Sequence, residues 1–145
     1  MRFVLPLAVL LASCAAPERG PEPQPAPAPE APPAAPAPHK ENVAIAGLME
    51  SARSASASGD LAGAAASLER ALRIEPKNPR LWHELARVRL KQGQFAQAES
   101  VAARSNSWAG EDKGLRAENW RLIAESRRAR GDEEGAKAAR EAAGR

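Results

Sequence analysis

Residues 59–82 read GDLAGAAASLERALRIEPKNPRLW and contain the clearest helix and turn signals of the chain. Apolar residues recur on one helical face within it, at Leu61, Ala64, Ala65, Leu68, Ala71 and Leu72. Gly59 and Asp60 precede this face, and a left-handed glycine followed by an aspartate N-cap is typical of a turn between two helices. Asn78 and Pro79 then supply a cap and a first-turn proline for the next helix. The stretch therefore predicts helical hairpins in series.

The same punctuation recurs along the chain. Leu48, Gly59, Leu61, Ala64 and Pro76 have counterparts one repeat later at Trp82, Gly93, Phe95, Ala98 and Gly110. A third copy, at Trp120, Gly131, Glu133 and Ala136, follows a four-residue insertion around 105–115. Small residues recur where the two helices of each hairpin would cross, at Ala52, Ala86 and Ala124. A 34-residue period with this pattern resembles the tetratricopeptide repeat family.

This resemblance implies an all-α fold, a short solenoid of about three α-α hairpins in a domain that spans 41–145. The repeats are expected at about 45–78, 79–112 and 117–145. The chain departs from the family pattern at the inward position of each first helix, where an aromatic residue is common and Ala55, Arg89 and Arg127 stand instead. The last predicted helix, 133–143, offers only alanines to a core. Unrelated helical hairpins are the alternative.

An export signal is expected at the N-terminus. An apolar run over 3–11 is too short to span a bilayer but suits a secretory signal. It closes in LASC at 11–14, which resembles the lipobox of bacterial lipoproteins. The resemblance implies a signal peptide over 1–13, lipidation of Cys14 and, because Ala15 rather than aspartate follows, a lipid-anchored protein of the outer membrane that faces the periplasm. An ordinary signal peptide cut elsewhere is the alternative.

A spacer should join the anchor to the domain. Nearly half of the positions from 16 to 38 are proline, and most of the others are alanine. Such a segment lacks backbone donors and apolar bulk, so we expect 14–40 to be disordered and extended. A ligand for a proline-binding domain is the alternative interpretation.

Catalytic and metal chemistry find little support in the sequence. Cys14 is the only cysteine, which excludes an intrachain disulfide and a zinc site built on sulfur. His39 and His83 are isolated from other metal-ligand residues, and no glycine-rich phosphate loop or serine nucleophile elbow is present. We therefore expect no enzymatic activity and no cofactor.

A basic stripe marks the candidate binding surface. In tetratricopeptide arrays one side of the first helices lines a concave groove, and by the repeat alignment that side carries Arg53, Arg80, His83, Arg87, Lys91, Arg121 and Arg128. Arginine binds carboxylates in a bidentate manner, so the stripe favours an acidic segment of a periplasmic or membrane protein. A solvated basic face is the alternative. Nucleic acid is not expected, because an exported lipoprotein rarely meets it and the net charge is only +3.

Two classes of function follow. One is an adaptor that recruits a periplasmic partner for envelope assembly, such as a peptidoglycan synthase, a secretin or a pilus component. The other is a wall-directed module that binds glycan through Trp108, since Trp82 and Trp120 occupy a core-facing repeat position. The uncovered face of the last hairpin also leaves homo-oligomerisation open.

Overall fold

The computed structural model describes residues 43–145, so the predicted signal peptide, Cys14 and the predicted spacer lie outside the described residues. The described chain forms helices α1 (Val43–Ala57), α2 (Leu61–Ile74), α3 (Pro79–Lys91), α4 (Phe95–Trp108), α5 (Lys113–Ala129) and α6 (Glu133–Ala143). Within 43–145 there is no strand, which confirms the all-α prediction. None of these six helices is long and apolar enough to cross a membrane.

The helices end where the local chemistry predicts. Gly59, Gly93 and Gly131 follow the first helix of each hairpin with φ of 86°, 73° and 82°, a left-handed backbone that residues with a side chain rarely adopt. The Asp60 carboxylate accepts a hydrogen bond from the Gly63 amide at 2.8 Å, and Asp132 caps α6 in the same way. Asn78 caps α3 ahead of Pro79. Each hairpin is thus delimited by its own sequence.

The hairpins pack in series. α1 pairs with α2, α3 with α4 and α5 with α6, while α2 also packs on α3, and α4 and α3 pack on α5. The small residues predicted at the crossings, Ala52, Ala86 and Ala124, are buried, and so are the repeated alanines of the second helices, Ala64, Ala98 and Ala136. An alanine at a crossing lets two helix backbones approach closely, so the hairpins stack as a tetratricopeptide-like solenoid.

The two ends of the solenoid have different cores. The core around α1, α2 and α3 contains large side chains, among them Leu68, Leu72, Leu81 and Leu85. The core around α4, α5 and α6 consists mainly of alanines, with Ile123 as its large buried residue. Because apolar stabilisation scales with the area removed from water, the C-terminal half gains less from its apolar core.

The four-residue insertion is a turn of helix. α3 has 13 residues and α5 has 17. When Gly131 is aligned with Gly93, α5 and α3 end together and the extra turn lies at the N-terminus of α5. The Asp112 carboxylate caps this end by accepting from the Leu115 amide at 2.9 Å. The first helix of the third hairpin therefore begins at Lys113, four residues ahead of position 117.

Candidate partner-binding groove

Three hollows follow one another along the side of the solenoid that α1, α3 and α5 share. Arg87 lines both the first and the second hollow. Arg121 and Glu125 line both the second and the third. Because neighbouring hollows share side chains, they form one continuous depression, which we name the groove.

The first hollow lies between α1 and α3 and has an apolar floor. Its volume is about 190 Å³. Ala52, Leu68 and Val88 come from three different helices, and each of these buried side chains is at most 4% exposed. Ser56 and Ala57 are the small residues of its α1 side. Met49 and Arg53 are the long residues of the same side.

The rim of the first hollow is cationic. Arg53, Arg87 and Lys91 surround it, with Glu84 as the only carboxylate among its lining residues. Arg87 is paired with that carboxylate at 3.3 Å. The Lys91 ammonium donates to the Ser56 hydroxyl at 3.0 Å, a bond that joins α3 to α1 across the mouth of the hollow. The rim therefore carries positive charge that its own carboxylate does not balance.

The second and third hollows carry mixed charge. The second, of about 250 Å³, is lined by His83, Arg87, Glu118, Arg121, Leu122 and Glu125. The third, of about 300 Å³, is lined by Arg121, Ala124, Glu125, Arg128 and Arg140. The second therefore has as many carboxylates as guanidinium groups, and the third is mainly cationic. Neither has the three-helix apolar floor of the first.

The structure places six of the seven residues of the predicted stripe along the groove. Arg53, Arg87 and Lys91 surround the first hollow, and Arg121 and Arg128 line the others. His83 lines the second hollow, although only 8% of it is exposed. Arg80 is the exception and lines none of the three hollows. Its guanidinium lies 3.7 Å from the Asp112 carboxylate.

His83 belongs to a buried network of hydrogen bonds. Its Nδ1 donates to the Asn119 side-chain oxygen at 2.8 Å, since that oxygen can only accept. The Asn119 amide donates in turn to the Ser105 hydroxyl at 2.7 Å, and Ser105 donates to the Pro79 carbonyl at 2.7 Å. The network thus joins α3, α4 and α5.

This network was not predicted, although the sequence contains a signal for it. Asn119 lies four residues from Leu115 and four from Ile123, so it stands within the apolar stripe of α5. A polar residue at such a position requires a buried partner. His83 is that partner, from the preceding hairpin.

The arginines at the inward repeat position form ion pairs between successive repeats. Arg89 of α3 donates to Glu69 of α2. Arg127 of α5 donates to Glu99 of α4 at 2.7 Å. These pairs connect one repeat to the next at the position where the family commonly has an aromatic side chain. The sequence departed from the family pattern there, and ion pairs occupy the position.

The tryptophans differ in their surroundings. Trp82 packs against the first core and donates to the Pro76 carbonyl at 2.8 Å, with the Arg104 guanidinium 4.9 Å from its ring centre. Trp120 packs against the second core. Trp108 is 41% exposed and has the Lys77 ammonium 5.4 Å from its ring centre. Trp108 is therefore the tryptophan most available to a ligand.

Known proteins with this architecture identify the family. The tetratricopeptide repeat model matches residues 55–117. The solved structure of the globular C-terminal domain of P. aeruginosa LpoP is 44% identical to this chain, with a TM-score of 0.71. The match covers 73% of this chain and all of the LpoP domain. The chain belongs to the same family as the LpoP domain. A comparison with curated proteins found no match.

Membership in this family and the repeat fold together support a protein-interaction role. The share of this chain that the LpoP match covers is close to the share that 43–145 represents. The LpoP structure is likewise that of a globular C-terminal domain. The match therefore has about the length of the repeat domain.

Proposed function

We propose that this protein is a lipid-anchored adaptor of the bacterial envelope that binds a periplasmic protein in its groove. Cys14 carries the anchor, residues 15–40 are the spacer, and the repeats bind the partner. The partner belongs to an envelope assembly machinery, with a peptidoglycan synthase, a secretin and a pilus component as the classes to test. A non-catalytic role agrees with the interaction modules that this fold forms elsewhere.

One observation carries the proposal: a continuous groove, with a cationic rim around its first hollow, on a repeat domain of the LpoP family. Concave surfaces of stacked helical hairpins present side chains from several repeats to one extended ligand. Cations along such a surface attract an acidic segment and orient its carboxylates.

Capture of purified partners tests the adaptor role. Full-length lipidated protein in nanodiscs would be mixed with one purified representative of each partner class, and the bound fraction measured. The double variant Arg87→Glu/Lys91→Glu should lose the partner, because both changes place negative charge on the groove. Helical circular dichroism should remain unchanged, since both residues are exposed.

A matched variant controls for net charge. Arg70 and Arg73 are exposed on α2 and line none of the three hollows. Arg70→Glu/Arg73→Glu makes the same change in charge and should retain the partner. Loss of the partner in both variants, or in neither, would show that binding does not depend on the groove.

A glycan-binding module is the second candidate, and the exposure of Trp108 favours it. Aromatic faces are the surfaces on which sugar rings stack. Binding of purified cell-wall sacculi that Trp108→Ala abolishes and Arg87→Glu/Lys91→Glu leaves unchanged would select this function over the adaptor.

A further inference from the structure

The first hollow differs from the other two in joining an apolar floor to a cationic rim. Leu68 and Val88 form a floor that is almost completely buried, yet the hollow opens to the groove. An apolar cavity of about 150 Å³ accommodates one benzene molecule, so about 190 Å³ accommodates one Leu or Phe side chain.

The charges at the mouth are arranged for a carboxylate. Arg87 faces Glu84, and the Arg53 guanidinium lies 3.6 Å from Glu50. In the part of the chain that the structure describes, Lys91 forms no ion pair, and its ammonium is held at the mouth by the Ser56 hydroxyl. An anion that enters the mouth therefore meets a positioned cation.

We propose that the first hollow is the anchor subsite for a partner segment in which a large apolar residue adjoins Asp or Glu. The apolar side chain fills the hollow above Leu68, and the neighbouring carboxylate pairs with Lys91. This proposal rests on the adaptor function and specifies the chemistry of its partner.

The chain's own spacer is a poorer occupant. Between Ala15 and Asn42 the sequence has no Leu, Ile, Val, Met, Phe or Trp. The glutamates of this segment supply carboxylates but no apolar anchor beside them. A separate segment that carries both groups fits the hollow better.

A single methyl group reports on the hollow. Met49 lines it, and the only other methionine of the chain is Met1. Full-length protein in nanodiscs, labelled with ¹³C at the methionine methyl groups, would be titrated with short peptides that have Glu-Phe, Lys-Phe or Glu-Ala at the centre of a Gly/Ser sequence. We expect the Glu-Phe peptide to shift the Met49 signal in a saturable manner, and the other two to bind roughly tenfold more weakly.

Reversing the charge of Lys91 tests whether the peptide carboxylate pairs with Lys91 itself or is attracted only by the net charge of the protein. Lys91→Glu should lower the affinity for the Glu-Phe peptide roughly tenfold and raise the affinity for the Lys-Phe peptide. Lys137→Glu, on the exposed side of α6, is the matched control and should leave both affinities unchanged. Ala57→Phe, which adds a ring at the mouth, should block both peptides, whereas Ala66→Phe on exposed α2 surface should not.

The outcomes distinguish this proposal from the adaptor function. If the Met49 signal shows no saturable shift with the Glu-Phe peptide, or if Lys91→Glu does not reverse the charge preference, the anchor subsite is wrong. The adaptor function still stands if a purified partner is captured through the groove. If the peptides bind as expected but no partner class is captured, the subsite is supported and the adaptor function is rejected.

Discussion

At the scale of single residues, Asn119 is the central residue of the buried hydrogen-bond network. Its side chain is fully buried and bonded to His83, Ser105 and Asn106. A buried polar group stabilises a fold only when its partners are present, because no water is there to replace a missing partner. The network therefore specifies how α3, α4 and α5 meet in the half of the domain where large apolar side chains are few.

Removing this amide should be costly. We expect Asn119→Ala to lower the free energy of unfolding by about 2–3 kcal/mol, because His83 and Ser105 would lose buried hydrogen bonds. In a domain of this size the midpoint of thermal unfolding should fall by roughly 10 °C or more. Circular dichroism during heating measures both quantities.

Ser126 supplies the matched control on the same helix. Its hydroxyl is buried and has no hydrogen-bond partner among the described residues. Ser126→Ala should therefore leave stability unchanged or raise it slightly, since no bond is lost. If the two alanine variants unfold at the same temperature, the Asn119 network contributes nothing to stability.

At the scale of helices, ion pairs connect successive repeats. Glu99 of α4 accepts from both Arg127 and Arg130, at 2.7 and 2.8 Å, whereas Glu69 of α2 accepts from Arg89. The Glu99 side chain is also less exposed than that of Glu69, at 21% against 45%. Because solvent weakens ion pairs, the Glu99 cluster should contribute more to the stacking of repeats.

Neutralising each glutamate tests this ranking. Glu99→Gln should lower the free energy of unfolding by about 1 kcal/mol, and Glu69→Gln by less. Glu50→Gln removes an exposed pair within α1 and should have almost no effect. Denaturant titrations at low and high salt measure the differences, and equal losses from Glu99→Gln and Glu50→Gln would contradict the ranking.

The last helix should be the least protected part of the third repeat. α6 packs on α5 and buries only Ala136 and Ala139. Little area is removed from water there, so we expect amides from Glu133 onward to exchange with solvent faster than those of 81–90 in the isolated monomer. Hydrogen exchange read by mass spectrometry tests this.

Association should change the behaviour of α6. Its outer face has no further hairpin of the described chain on it, so a second copy or a bound partner that covers it should slow its exchange. Exchange of 133–143 as slow as that of 81–90 in a proven monomer would show that the third repeat is stable without a cover.

At the scale of the whole molecule, the proposed function requires attachment to a membrane. Cys14 is the proposed site of the anchor. Cys14→Ala should abolish labelling with a palmitate analogue and leave either uncleaved precursor or protein in the soluble fraction. Ser13→Ala, which keeps a small residue before the cysteine, is the control and should retain the label. Labelling that persists in Cys14→Ala would reject the lipoprotein interpretation.

The positions of the helices were predictable because the signals that end them are local. A glycine with positive φ, an aspartate or asparagine cap and a proline in the first turn act within a few residues of one another. The 34-residue period then predicts how the hairpins follow each other. Most residues of the basic stripe line the groove for the same reason, since their helical face follows from the repeat register.

The remaining features depend on contacts between distant parts of the chain. Arg80 and His83 belong to the same predicted stripe, yet Arg80 pairs with Asp112, and His83 is buried and hydrogen-bonded to Asn119. The first hollow exists because Leu68 of α2 lies beneath a gap between α1 and α3. The helices, their order and the cationic face follow from the sequence, through chemistry that acts over a few residues. The burial of particular side chains and the position of the apolar floor of the groove follow from the fold, because both depend on packing between helices.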